Sequence, residues 1–381
     1  MAQKHRIIHG LAFQKEGIFL PGDVCIYNDR IVSEEEYFQI EGEETVTEAD
    51  GGYVIPGLTD IHFHGCMGSD CCDGSEEAFR RIAQYELSQG ITSITPATMT
   101  MPEETLAQIC RTVRDFSCAE GADLCGLYLE GPFISKAKKG AQNESYICAA
   151  DTEMLKRLQE FSGNMVRTVV VAPETKGAME FIRQNKNQVR ISLAHTTADY
   201  ETSKQALSLG ASQLTHMFNA MPPLSHRAPG PIGAAADDGD CMVELICDGV
   251  HVHPSVVRTA FKIFGDDRIV LISDSMRATG MADGTYDLGG QAVTVTGNLA
   301  VLEDGTLAGS VTNLMDCLRT AVTSMGVPLA SAVKCAAANP ARAIGMFQDY
   351  GTLDPGKYAN IVILGKGLDT KAVFLRGKRM A

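Results

Sequence analysis

The sequence predicts an α/β fold, a (β/α)8 barrel of TIM type carrying a small β-sandwich domain built from both termini. Three observations predict it. Between residues 54 and 349, apolar runs of four to eight residues alternate with helical stretches, the pattern of a parallel sheet wrapped by helices. Eight such runs can be counted, the number that a closed barrel of this type requires. Residues 1–53 and 350–381 carry short β-type runs divided by turn residues, and neither end is large enough to make a core alone.

Taken in order, Ile7-Ile8, Gly17–Leu20 and Val24–Tyr27 read as strands, with turns at Pro21-Gly22-Asp23 and Asn28-Asp29 and a resumed strand at Arg30–Val32. The barrel strands are expected at Val54–His64, Ile91–Thr98, Leu124–Glu130, Thr168–Ala172, Arg190–His195, Ser212–His216, Val243–Asp248 and Ile269–Asp274. Helices are expected at Ser75–Gln89, Pro102–Cys118, Thr152–Phe161, Ala178–Gln184, Thr202–Leu209 and Ser255–Phe264. Tyr286–Leu307 is a Gly-punctuated hairpin or meander, followed by helical stretches at Thr312–Met325 and Leu329–Ala343. Gly351–Lys357 is a turn, and Ala359–Leu364 and Ala372–Leu375 complete the terminal domain. A doubly wound open sheet would show a Gly-rich phosphate turn after its first strand; a His pair stands there instead.

Composition excludes several classes. A net charge of −14 argues against nucleic acid or an anionic membrane as partner. No run of about 18 apolar residues is present, so no membrane span is expected. The first residues lack the long apolar core of a signal peptide. Twelve scattered cysteines without a framework then read as reduced thiols of a cytoplasmic protein. Cys66, Cys71 and Cys72 follow the His pair but form no CxxC, and read as loop thiols beside the site.

The chemistry is carried by what stands at the end of each strand. On a strand, His62 and His64 point to the same face and can share one divalent ion. An HxH pair alone is compatible with two solvated imidazoles. Later strands add Glu130, His195, His216 and Asp274, each after an apolar run and each at the predicted C-terminal mouth of the barrel. A donor set of nitrogen and oxygen without thiolate suits Zn, Fe, Mn or Co. Six candidates exceed one tetrahedral shell, so two ions bridged by Glu130, or one ion with an open position, are both compatible. Asp274 is the natural general base.

The stretch Pro56-Gly-Leu-Thr-Asp-Ile-His-Phe-His64 resembles the opening signature of the amidohydrolase superfamily. Leu129-Glu-Gly-Pro-Phe-Ile134, Thr215-His-Met-Phe-Asn-Ala-Met-Pro-Pro223 and Leu271-Ile-Ser-Asp-Ser-Met-Arg-Ala-Thr-Gly280 are similar to motifs of the N-acetylglucosamine-6-phosphate deacetylases within it. Asn339–Gly345 and Gly351–Lys357 match that family's C-terminal part. The resemblance implies a metallo-amidohydrolase that converts N-acetylglucosamine 6-phosphate to glucosamine 6-phosphate and acetate, in amino-sugar catabolism or cell-wall recycling. It implies metal ligation by Glu130, His195 and His216, with His62 and His64 holding a second ion, so one or two ions per subunit, Zn or Fe first. Metal-activated water would attack the acetamide, with Asp274 as general base and then acid. The resemblance further implies substrate contacts from Asn219, Ala220 and His251. Arg227 would reach the phosphate in the neighbouring subunit's site, which implies a homodimer.

One departure stands out. After Lys138-Lys-Gly-Ala141, many relatives place a sugar-contacting His where this chain has Gln142, a side chain able to hydrogen-bond a hydroxyl but not to carry charge. Gln142 is therefore read as a substrate contact that bears on sugar choice. The rival readings are a deacetylase of another phosphorylated N-acetyl sugar, such as N-acetylgalactosamine 6-phosphate, and a non-catalytic metal-binding barrel. The second would have lost Asp274 or a ligand, and this chain has lost none.

Overall fold

The computed structural model describes residues 3–381. Eight parallel strands form the barrel: Leu58–Asp60, Ile91–Ile94 continued by Ala97–Thr98, Asp123–Leu124 continued by Leu127–Leu129, Val166–Val171, Arg190–Leu193, Gln213–Leu214, Met242–Ile246 and Ile269–Ile272. The first and eighth strands are joined beyond their ends, where Asp274 N–H donates to the His62 carbonyl at 3.0 Å and His64 N–H donates to the Ser275 carbonyl at 2.7 Å. Alternation along each strand separates two cores. Leu127, Leu129, Val169, Val171, Val243 and Leu245 face outward against the surrounding helices. Met242, Ile246, Val270 and Ile272 fill the barrel interior.

The helices fall close to their predicted ranges, for example Glu76–Ser88, Glu103–Asp115 and Pro254–Phe264. A helix at Gly230–Asp237 lies partly in what reads as a Pro/Gly loop. Pro231 sits in its first turn, where the missing N–H has no intrahelical partner to lose. A short helix, Glu34–Gln39, capped by the Ser33 side chain, was also not expected.

The predicted strand Val54–His64 is two strands. Tyr53–Pro56 pairs antiparallel with Ile361–Leu364 in the terminal sheet, and only Leu58–Asp60 belongs to the barrel. Gly57 makes the crossing: a Cβ there would lie 2.2 Å from Thr92 Oγ1. Both termini build the terminal sheet. Its eight strands are continuous through Tyr53–Pro56 and share an apolar core of Ile7, Ile26, Ile361 and Phe374. Pro21-Gly22-Asp23 is not a turn but part of strand Phe19–Tyr27. Strand Arg30–Val32 covers only Cys25–Tyr27, so Pro21 lies on a free edge that needs no N–H.

After the eighth strand, an antiparallel meander of Gly284–Leu288, Gln291–Thr296 and Leu299–Val301 packs Leu288, Val293 and Val295 on Met99 and Met276. It forms one wall of the barrel mouth. Below the barrel, Asn339 Nδ2 donates to the carbonyls of Asp266 and Ile269, each at 2.7 Å, tying the last helical segment to the eighth strand. No helix among the described residues is long and apolar enough to cross a membrane.

One buried acid tests the packing. Glu86, on helix Glu76–Ser88, has no exposed surface, and neither carboxyl oxygen has a partner. Burial pushes its pKa well above the usual carboxylate range, with Asp60 adding to the effect and the Cys66 thiol opposing it. The folded state therefore keeps a proton that the unfolded chain releases near its ordinary value of about 4.3. Stability falls as pH rises above that value, until the folded-state pKa is passed. Thermal unfolding of Glu86→Gln across a pH series should show a stability gain over the parent that grows as the pH is raised from about 4. A gain independent of pH would contradict a protonated Glu86.

Candidate metal centre

Six of the predicted residues meet at the mouth. Glu130 stands one residue beyond its strand, and His62, His195, His216 and Asp274 stand two beyond theirs. The His62–His64 pair therefore lies just past the strand that was expected to contain it. The alternation persists there: Phe63 turns into the outer core while both imidazoles face the mouth. His195, His216 and Asp274 adopt positive φ angles of 45°, 30° and 51°, a costly region for residues with a Cβ. That turn of the backbone ends each strand at its functional side chain. Gly131 is required beside Glu130, because a Cβ would meet Thr100 Oγ1 at 2.0 Å.

The donors form two groups, His62–His64–Asp274 and Glu130–His195–His216. In the second, His195 Nε2 and His216 Nε2 are 3.2 Å apart and lie 3.1 and 2.9 Å from Glu130 Oε1. In the first, His64 Nε2 is 3.3 Å from Asp274 Oδ1, and His62 Nε2 is 3.8 Å from it. Glu130 joins the groups: Oε2 is 3.2 Å from His64 Nε2, and Oε1 is 3.4 Å from His62 Nε2. A four-coordinate ion with bonds of 2.0–2.1 Å leaves neighbouring donors about 3.3 Å apart. The spacing thus fits divalent metal, and the buried His62 Nε2 has no hydrogen-bond partner of its own. No cysteine belongs to either group among the described residues, and all twelve thiols are free.

Three of the four imidazoles are oriented from behind. His195 Nδ1 bonds the Lys138 carbonyl at 2.8 Å, and His64 Nδ1 the Ala97 carbonyl at 3.3 Å. His62 Nδ1 bonds Glu244 Oε2 at 2.8 Å, with both side chains fully buried. These contacts leave each Nε2 lone pair facing the centre. Burial pushes Glu130 towards its protonated form, but His62, His195 and His216 hold it well below the usual carboxylate range. Burial acts likewise on Asp274, and His64 and His62 outweigh it, so that carboxylate stays ionised.

The centre opens into a cavity of about 340 Å³, also lined by Lys138, Gln142, Asn219, Ala220, His251 and Leu307. Comparison with known proteins agrees with this geometry. The amidohydrolase family profile matches residues 53–380.

The chain belongs to the amidohydrolase family.

It is 37% identical over 330 residues to the N-acetylglucosamine-6-phosphate deacetylase of Bacillus subtilis, covering 85% of this chain and 83% of that one. It is 35% identical over 337 residues to the N-acetylgalactosamine-6-phosphate deacetylase of Escherichia coli O157:H7, covering 88% and 89%. A mutant N-acetyl-D-glucosamine-6-phosphate deacetylase from Mycobacterium smegmatis, solved with N-acetyl-D-glucosamine-6-phosphate, superimposes with a TM-score of 0.90 at 30% identity over the whole of both chains.

The remaining predicted residues of this amidohydrolase fall in three places. Asn219, Ala220 and His251 line the cavity. Arg227 does not; it is exposed on the loop before helix Gly230–Asp237. Gln142 also lines the cavity, and its amide is engaged by protein at both ends. Sequence reading missed Glu244. Its signal was a lone acid inside the apolar run Met242-Val-Glu-Leu-Ile246, on the face that looks into the barrel. Tyr128 Oη donates to Glu244 Oε1 at 2.9 Å, and the Tyr128 ring stacks on His62 at 4.4 Å.

Chelator competition checks the role of Glu244. Glu244→Gln should bind metal about 10–100-fold more weakly, through loss of His62 orientation. Unchanged affinity in a folded variant would remove that role.

Proposed function

We propose that this amidohydrolase hydrolyses N-acetyl-D-glucosamine 6-phosphate to D-glucosamine 6-phosphate and acetate. The observation that carries the reading is the pair of donor groups joined by Glu130, with ionised Asp274 at the floor of a cavity of sugar size. The deacetylase relatives supply the substrate class. The donor set suits two divalent ions per subunit, one at His62, His64 and Asp274 and one at Glu130, His195 and His216. Zn or Fe fits the nitrogen and oxygen donors best, with Mn or Co also compatible. Such ions, when bound, lower the pKa of water and polarise an amide carbonyl.

The protein's own groups account for the remaining steps. Asp274 takes the proton of the attacking water and returns it to the departing sugar nitrogen. His251 is the phosphate-side group of the cavity. Burial alone would lower its pKa, but Asp248, with Oδ2 2.7 Å from Nδ1, raises it, so the imidazolium that suits a phosphate is favoured. Asn219 and Ala220 lie beside His216 to position the sugar. Arg227, too exposed to serve its own cavity, reaches the phosphate of a neighbouring subunit in a homodimer. Free thiols throughout fit a reducing, cytoplasmic setting. N-acetylgalactosamine 6-phosphate is the second substrate to weigh, given the Escherichia coli relative.

Acetate release by the metal-loaded protein is the test. The phosphorylated sugars should exceed unphosphorylated N-acetylglucosamine in kcat/KM by about 10–100-fold, the value of a charge-assisted contact. That preference should shrink as pH rises through the His251 pKa and the imidazolium is lost. Equal rates for all three sugars would overturn the phosphate assignment. Asp274→Asn should retain fold and lose about 10²–10⁴-fold in kcat. Near-normal turnover would remove Asp274 as the proton carrier.

A further inference from the structure

Gln142 stands where the resemblance places a sugar contact, yet its hydrogen bonds run into the protein. The side chain is 2% exposed. Its Oε1 accepts from Thr100 N–H at 2.6 Å. Its Nε2 donates to Glu130 Oε2 at 2.7 Å and lies 3.7 Å from Met99 Sδ. The partners fix which end is which, since a backbone N–H needs an acceptor and an ionised carboxylate needs a donor. One N–H is held by Glu130, and the other has only Met99 beside it.

The oxygen that Gln142 holds is not equivalent to its twin. Glu130 Oε1 faces His195 and His216, with His62 Nε2 at 3.4 Å on its other side. Oε2 faces His64, at 3.2 Å, and therefore the group that also holds His62 and Asp274. A single neutral donor aimed at Oε2 fixes the rotation of the carboxylate plane, holding Oε2 on His64 and Oε1 between His62, His195 and His216. The backbone around it is clamped as well: Thr100 Oγ1 donates to the Glu130 carbonyl at 3.3 Å. The segments following the second and third strands thus meet at one carboxylate, with Gln142 as the link between them.

We propose that Gln142 is a positioning residue for Glu130, which sets the affinity of the His62–His64 site for its ion and leaves sugar choice to other residues. The inference rests on the metal centre read above, but its main readout is metal binding, so it can fail or hold whatever sugar is hydrolysed. Two variants separate the donor from the volume: Gln142→Met fills the space without an N–H, and Gln142→Ala empties it. Each is titrated with Co²⁺ against a chelator while the visible spectrum is followed, with thermal unfolding as the check on folding. Both variants should bind one equivalent as the parent does and the other about 10–100-fold more weakly, with an altered spectrum for that weaker step only. The ratio of kcat/KM for N-acetylglucosamine 6-phosphate to that for N-acetylgalactosamine 6-phosphate should stay within about twofold of the parent's, since a lost sugar contact costs more than that. Parent-like binding of both equivalents by folded Gln142→Met would overturn the positioning role. A tenfold or larger change in the sugar ratio would overturn the separation from the sugar, whatever the metal does. If neither sugar is hydrolysed by the parent, the titration alone decides.

Discussion

Everything at the mouth of this barrel depends on one carboxylate, Glu130, buried among four imidazoles. A buried charge without partners is among the most destabilising features a fold can carry. Here the four imidazoles come from the ends of three different strands, all distant from Glu130 in sequence. The parallel barrel solves the problem by geometry: every strand ends at the same mouth, so residues 62, 64, 195, 216 and 274 can all be brought to one acid. The fold and the site are therefore the same constraint seen at two scales. Outward-facing side chains hold the strands in register against the helices, and register decides whether the strand ends meet.

The cost of that convergence is visible in the backbone. His195, His216 and Asp274 sit in the left-handed region, as do Phe218 and Ala220 just beyond His216. Strain of this kind persists only where surrounding structure over-determines it. Two features do so here. The ladders below the strain are buried and regular, and the Asp274 N–H is tied to the His62 carbonyl across the barrel seam. The barrel interior, packed with Met242, Val270 and Ile272, carries no such outliers among its described strands.

Much of this was legible in the chain itself. Glu130, His195, His216 and Asp274 each follow an apolar run, and a polar residue at the end of a buried strand is conspicuous. Glu244 was hidden for the opposite reason: it lies within an apolar run, where a single acid reads as a fault in the pattern. The protein contacts of Gln142 were not legible, because a loop residue's partner cannot be seen from spacing. Its amide meets Thr100, 42 residues away, and Glu130, 12 residues away. Pro56-Gly57 interrupts the apolar run, but nothing local shows that the pairing partner changes there from the C-terminal strand to Ile91–Ile94. Pairing is tertiary information, and a local pattern does not contain it.

The Glu244–His62 pair bears on how the first donor group is held. Glu244 is fully buried and accepts from Tyr128 Oη and from the His216 N–H, but its close basic partner is His62. Remove the imidazole at position 62 and the acid is left in the barrel interior with neutral donors only. Its desolvation is offset by the His62 imidazole together with donors from Tyr128, Gln213 and the His216 N–H. Keeping both residues is consistent with a first group that is oriented for use: Glu244 holds Nδ1, Tyr128 stacks on the ring, and Nε2 is left unpaired towards Asp274 and Glu130. The polar layer beneath the mouth thus carries the same message as the HxH pair, from residues that no motif singles out.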